Sequence, residues 1–121
     1  MKKLLLTLAL SLAVSTLAFA GDALKKTVEQ VNNEMAQLKG KQVTVTGKVV
    51  KVNNGIMKRN FVHVQDGTGG KNNNKIIVTS KQTAKVGNNV TITGTVVLGT
   101  DFGMGYSYPL LVEKAAITIN K

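Results

Sequence analysis

The stretch KQVTVTGKVVKVNNGIMKRNFVHVQDGTGG, Lys41 to Gly70, decides how the chain is read. Val43 and Val45 alternate with Thr44 and Thr46, the two-residue period of a half-buried strand. Beyond Gly47 the apolar role passes to Val50 and Val52, on the opposite parity. A glycine at a phase change points to a bulge or sharp coil in a strand bending around a small barrel. Asn53-Asn54-Gly55 is a turn signal, followed by the basic segment Ile56 to Asn60. Phe61 to Gln65 then alternates again, with Val62 and Val64 on one side and Phe61, His63 and Gln65 on the other. Asp66 to Gly70 is a tight turn that lacks the spacing, the Lys-Ser/Thr pair and the following helix of a phosphate loop.

Outward from this core the pattern continues. Upstream, Leu24, Val28, Val31, Met35 and Leu38 recur at spacings of four and three, predicting one amphipathic helix with Asp22 as N-cap and Gly40 as its end. Downstream, strands are predicted over Lys75–Thr79, Val90–Leu98 and Tyr108–Ile119, with Gly94 inside the second and Pro109 near the start of the third. A short link, Ser80 to Val86, and a glycine-rich loop, Gly99 to Tyr106, join them. The expectation is a mainly β domain: five strands closed into a small barrel, preceded by one helix.

The first residues carry the marks of a secretory leader. Lys2 and Lys3 precede an apolar run from Leu4 to about Val14, and small residues close on Ala18-Phe19-Ala20. The run is shorter than the ~20 residues that a spanning helix requires. The expected organisation is thus a signal peptide over 1–20, a helix over 21–40 and the barrel domain over 41–121, placing the protein in the periplasm. Loss of 20 residues from 121 leaves 101, one domain with a modest core. There is no cysteine, so neither disulfides nor thiol chemistry are available to it. The full chain carries 16 basic and 6 acidic residues, and the formal charge of +10 falls to +8 without Lys2 and Lys3. That balance favours anionic partners. The lysines are dispersed, and Arg59 is the sole arginine.

KQVTVTGKVVKV, FVHVQDGTG and KVGNNVTITGTVV resemble the first, second and fourth strands of an OB-fold domain. More narrowly, residues 36–119 resemble small exported bacterial OB-fold proteins described as nucleic-acid-binding-like, the NrfJ-related group, some of which accompany periplasmic nitrite-reductase cytochromes. The resemblance implies a five-stranded Greek-key barrel; it brings no agreed ligand, and a fold alone does not fix a function.

The residues speak for binding and against catalysis. His63 is the only histidine, and beyond the helix the carboxylates are Asp66, Asp101 and Glu113. Ser80 or Ser107 has no nucleophile-elbow spacing to join His63 in a triad. Exported OB-fold nucleases gather several carboxylates and arginines around calcium, a set that one arginine does not supply. Met57, His63 and Met104 are weighed as soft copper ligands, but their spacing matches no metal pattern, and neither metal nor cofactor is expected.

The expected ligand face combines the outward residues Lys48, Lys51, Phe61, His63 and Gln65 with Lys58, Arg59 and Asn60 of the first loop and Phe102, Tyr106 and Tyr108 around the last. OB-folds bind on this surface, and cations tracking a backbone while rings stack on bases is the chemistry of sequence-tolerant single-strand binding. The other reading of the rings is structural, with Phe61 under the helix and Phe102 and Tyr108 plugging the barrel end. The leading expectation is an exported, non-catalytic protein that binds an anionic or extended polymer such as single-stranded nucleic acid. The alternative is an accessory protein for envelope redox or c-type cytochrome systems, contacting a partner protein or a metal through the helix stripe and the aromatic loop.

Overall fold

The computed structural model describes residues 23–121. The leader expected over residues 1–20, and Asp22, lie outside the described residues. A two-residue strand β1 (Leu24–Lys25) and two short helices, α1 (Val28–Asn33) and α2 (Met35–Leu38), precede five longer strands: β2 (Gln42–Ile56), β3 (Arg59–Gln65), β4 (Ile76–Ser80), β5 (Asn89–Asp101) and β6 (Ser107–Asn120). They form one sheet in the order β1-β2-β3-β4-β6-β5, and β2 also pairs with β5, so the last five strands close into a ring. The neighbours within the ring are antiparallel except β4 and β6, which meet in parallel at Val78 and Val112. No helix among the described residues is long and apolar enough to cross a membrane.

Closure depends on the length of β2. Its first half, Gln42 to Lys48, pairs with β5, and its second half, Lys48 to Ile56, pairs with β3. The phase change lies at the handover, three residues beyond Gly47. The register slips between Val49↔Val64 and Lys51↔His63, leaving Val50 as the extra residue of a bulge. Val49 is therefore the core residue, 1% exposed, while Val50 is 36% exposed, which corrects the expected assignment of Val50. Gly47 stays on the inward parity of Val43 and Val45. It is required there for space: a Cβ would lie 2.6 Å from the Gln65 carbonyl oxygen and 2.7 Å from Val64 Cγ1. Gly94 plays the same part in β5, where a Cβ would lie 2.8 Å from Val112 Cγ1 and 2.9 Å from the Glu113 carbonyl oxygen.

The barrel is filled by Val43, Val45, Val62, Val64, Val78, Ile92 and Val112 with their neighbours, and Val28, Val31 and Leu38 seal it from the helices. The outward threonines are also paired, Thr44 with Thr93 at 2.9 Å and Thr46 with Thr91 at 3.0 Å, linking β2 and β5 across the solvent side.

The single expected helix is replaced by a strand and two short helices. Leu24 pairs with Val43 in β1, and the first helix begins three residues later in a Thr27/Gln30 capping box. Thr27 Oγ1 accepts from Gln30 N at 3.1 Å, and Gln30 Oε1 accepts from Thr27 N at 2.9 Å. The helix breaks at Glu34, whose carboxylate pairs with Lys26 at 2.7 Å. Val28, Val31 and Leu38 of the stripe are buried in the barrel's own core, whereas Leu24 is exposed.

The loop after β3 holds these helices in place. Asp66 Oδ2 accepts from Val28 N at 2.9 Å, Thr68 Oγ1 accepts from Glu29 N at 3.0 Å, and Asp66 Oδ1 accepts from Thr68 N at 3.0 Å. The Asp66–Gly70 turn thus supplies acceptors to first-turn amides that a helix cannot satisfy from within.

Candidate functional site

The turn between β2 and β3 is not Asn53-Asn54-Gly55. Ile56 pairs with Arg59, so Met57 and Lys58 form a two-residue turn, and both have left-handed backbone, φ 53° and 64°. That geometry matches the twist of a hairpin but usually takes asparagine and glycine. Upstream, a bulge between Asn53 and Ile56 absorbs the turn signal. Asn60 anchors the hairpin: its Oδ1 accepts from Gly55 N at 2.9 Å, and its Nδ2 donates to the carbonyls of Gln82 and Lys81 at 3.1 and 3.3 Å. It positions the site and is not a free ligand group.

Past Val96, β5 parts from β2 and runs on with β6 as a two-stranded arm, up to Asp101 opposite Ser107. Pro109 lies between the Thr100↔Tyr108 and Leu98↔Leu110 pairs, where β6 has no strand on its other side. The tip is closed by Phe102 N donating to Tyr106 O at 2.8 Å and by Gly103 N donating to Asp101 Oδ1 at 2.8 Å. This arm carries Phe102 and Tyr108 onto Phe61, with ring centroids 6.2 and 5.4 Å away, and the two arm rings are 6.0 Å apart. Arg59 lies over Phe102, 4.9 Å from its centroid.

The expected exposed aromatic at Phe61 is therefore buried, at 2%, by the arm and not by a helix. Phe102 and Tyr108 are half-buried, and Tyr106, 41% exposed, is the ring offered to solvent beside them. Leu111 is also fully buried although it lies on the opposite parity to Leu110 and Val112. A continuous apolar run in β6 thus reflects a strand covered on both faces.

The structure divides the remaining expected residues between two ends of the sheet. Lys48 and Gln65 line a separate pocket of about 450 Å3 near Asp66 and Asn89. Gln65 and Arg59 stand at opposite ends of β3, six residue steps or about 20 Å apart at strand rise. Lys51 is exposed opposite His63, midway along. His63 is only 8% exposed, and its Nδ1 has no hydrogen-bond partner. Burial first, then the positive charges of Lys75 and Lys51, push the imidazole down to about 4, so it is neutral at pH 7.

Because the folded value is lowered, the stability associated with His63 is present above pH 6.5 and is lost as pH falls through about 4. After discount for screening of the exposed lysines, the loss is about 1–2 kcal/mol. Urea unfolding between pH 7 and 4 should show this slope in the parent and a flatter one in His63→Leu; equal slopes would exclude His63 as its source.

Met57 and Met104 do not meet His63 along the chain. Met57 is at the hairpin tip, about 13 Å of strand beyond His63. Met104, 96% exposed, is at the arm tip. No cluster of three His, Asp or Glu side chains that could hold a metal occurs among the described residues. Three of the groups weighed for catalysis have structural partners: Ser80 Oγ donates to Ala115 O at 2.6 Å and accepts from Gln82 N at 2.9 Å, while Asp66 and Asp101 cap backbone amides.

One part of the site had no counterpart in the sequence reading. Between the hairpin and β6 lies a pocket of about 120 Å3, with Lys58 and Arg59 on one side, Thr79 to Lys81 at the end of β4, and Glu113-Lys114 on the other. Lys114 occupies a third bulge, where the register slips between Thr95↔Glu113 and Thr93↔Ala116, and its φ is 53°. A signal existed: inward residues change parity from Leu110 and Val112 to Ala115 and Ile117, placing an irregularity at Lys114.

No family model matches the sequence, and no curated protein matches it. Among solved structures, the chain is similar to one assigned as an aspartyl-tRNA synthetase from Leishmania major Friedlin, with a TM-score of 0.57 at 11% identity. The match covers 82% of this chain and 21% of that one. Such a likeness is one of fold, and it agrees with an OB-like barrel.

Proposed function

We propose that this is an exported, periplasmic, non-catalytic OB-fold protein with Greek-key topology that binds an anionic, extended polymer, in the first place single-stranded nucleic acid. The observation that carries the reading is the cluster at the hairpin end: Arg59 over Phe102, Phe61 beneath, Tyr108 alongside, and Lys58 and Tyr106 open to solvent. Half-exposed rings beside unpaired cations fit a strand whose bases stack while its phosphates are neutralised. The fold likeness to a protein named for tRNA leans the same way. The basic, apolar and small-residue segments of residues 2–20 support export.

The reading predicts that a fluorescent oligothymidine binds with an affinity that falls steeply with salt, by about 0.7 log units per tenfold salt for each phosphate neutralised. Lys58→Ala with Arg59→Ala should weaken binding about tenfold for all sequences alike, equivalent to about 1.4 kcal/mol. Tyr106→Ala, at an exposed position, should weaken it several-fold. No binding at low salt would overturn the reading.

Export also favours a second reading, since nucleic acid is scarce in the envelope. Met104 and Tyr106 expose apolar surface at the tip of the arm. A partner protein of an envelope redox system engaging that tip would be lost on Met104→Ser with Tyr106→Ser, whereas Lys58→Ala would leave it intact.

A further inference from the structure

We infer that the pocket between the β2–β3 hairpin and the β6 bulge is a site for a terminal phosphate monoester, the end group of the strand whose bases lie on the neighbouring rings. This rests on the reading of the face as a nucleic-acid site, and it adds a specific end to that ligand. Three observations carry it.

The first is charge. Lys58, Arg59, Lys81 and Lys114 converge on a pocket that contains a single carboxylate, Glu113. Among the described residues the one ion pair is Lys26–Glu34, elsewhere on the molecule, so none of the four cations has a carboxylate within 4.0 Å. Glu113 instead accepts from Thr79 Oγ1 at 3.3 Å. Like charges gathered without a counter-charge repel one another, and a dianion relieves that repulsion.

The second is backbone. Lys58 and Lys114 both have left-handed φ, 64° and 53°, a conformation that suits glycine and is uncommon for a lysine. Two of the four cations thus stand where the local backbone favours glycine or asparagine. Such departures from local preference are characteristic of functional sites. The bulge at Lys114 has the known effect of re-aiming a side chain out of the strand alternation.

The third is size. About 120 Å3 is room for one phosphate group. The pocket bottoms on Thr79 and Ser80, 1% and 3% exposed, whose hydroxyls are already engaged. The ligand's partners are therefore the cations. A terminal monoester, with a charge near −2, enters such a pocket end-on, whereas a diester must leave on both sides. Arg59 belongs to both pocket and ring cluster, so phosphate and first base are read together.

The test compares three otherwise identical oligothymidines, with a 5′-phosphate, a 3′-phosphate or two hydroxyl ends, each carrying an internal fluorophore. One phosphorylated form should bind about tenfold tighter than the hydroxyl form, a difference of about 1.4 kcal/mol. Lys114→Gly should abolish that advantage, leave binding of the hydroxyl form nearly unchanged, and unfold no earlier than the parent, since glycine suits the backbone there. Equal binding of all three forms would overturn the pocket and leave the face intact. Inorganic phosphate, followed by amide NMR shifts of Ser80, Lys81 and Lys114, tests the pocket without any oligonucleotide. Saturable shifts in the parent that vanish in Lys114→Gly support it, and their absence overturns it even if the strand binds. Failure of every oligonucleotide to bind would instead overturn the face.

Discussion

Gly47→Ala and Gly94→Ala are each expected to lower stability by about 3 kcal/mol, at the upper end of overpacking costs. The barrel closes because β2 serves two neighbours in turn, and where it changes from β5 to β3 the chain comes within reach of the end of β3. An alanine methyl at 47 would meet the Gln65 carbonyl oxygen at 2.6 Å, and backbone held in a ladder cannot swing aside as a flexible side chain can. At 94 the methyl meets Val112 Cγ1 at 2.8 Å, the Glu113 carbonyl at 2.9 Å and the Ala115 Cβ at 3.0 Å, all on the strand that carries the Lys114 bulge. Since a domain of this size retains only about 5–15 kcal/mol in total, either change removes a large share of it. Urea unfolding at pH 7 measures the loss. A change below about 0.5 kcal/mol at both positions, the range of a surface substitution, would show that the sheet yields there.

Asp66→Ala is expected to cost about 2–3 kcal/mol, in the range for hydrogen bonds to a charged acceptor. Its two oxygens accept from Val28 N and from Thr68, and Thr68 in turn accepts from Glu29 N. Without the carboxylate, the amide of Val28, a residue with no exposed surface, loses its partner at the start of α1. Burial pushes the Asp66 carboxyl up, but the hydrogen bonds from the Thr68 hydroxyl, the Val28 amide and the Thr68 amide outweigh it and hold it below the ordinary value of 3.8. Because the folded value is depressed, the contribution is present above pH 3.8 and is lost as pH falls below it. Asp66→Asn should therefore flatten the stability curve below pH 4, while His63→Leu flattens it between 6.5 and 4. If Asp66→Asn leaves the acid limb unchanged, the carboxylate is not its source.

Much of the site was legible as residue types and little of it as geometry. The pairing of a basic first loop with rings in the last follows from the order of strands, because both loops open at one end of such a barrel. That Phe61 lies under those rings, and that Lys48 and Gln65 belong to the other end, required the path of the arm and the length of β3. Thr79, Lys81 and Lys114 are separated in sequence from the hairpin that completes their pocket, so no spacing joins them to it. The Asp66–Gly70 turn, which lacks the pattern of a phosphate loop, is the anchor of α1.

The sequence by itself determined the strands: β-branched residues alternating with threonine and lysine have one buried face, a property of two-residue periodicity that needs no partner. It also determined the absence of thiol chemistry and the excess of positive charge. Only the tertiary structure decided which valine of Val49-Val50 faces inward, where the helix begins, and which lysines gather. A bulge shifts parity by one residue, and its place is set by the strand opposite. Val50 and Lys114 are extra residues only with respect to β3 and β5, so their roles exist only once those strands are paired.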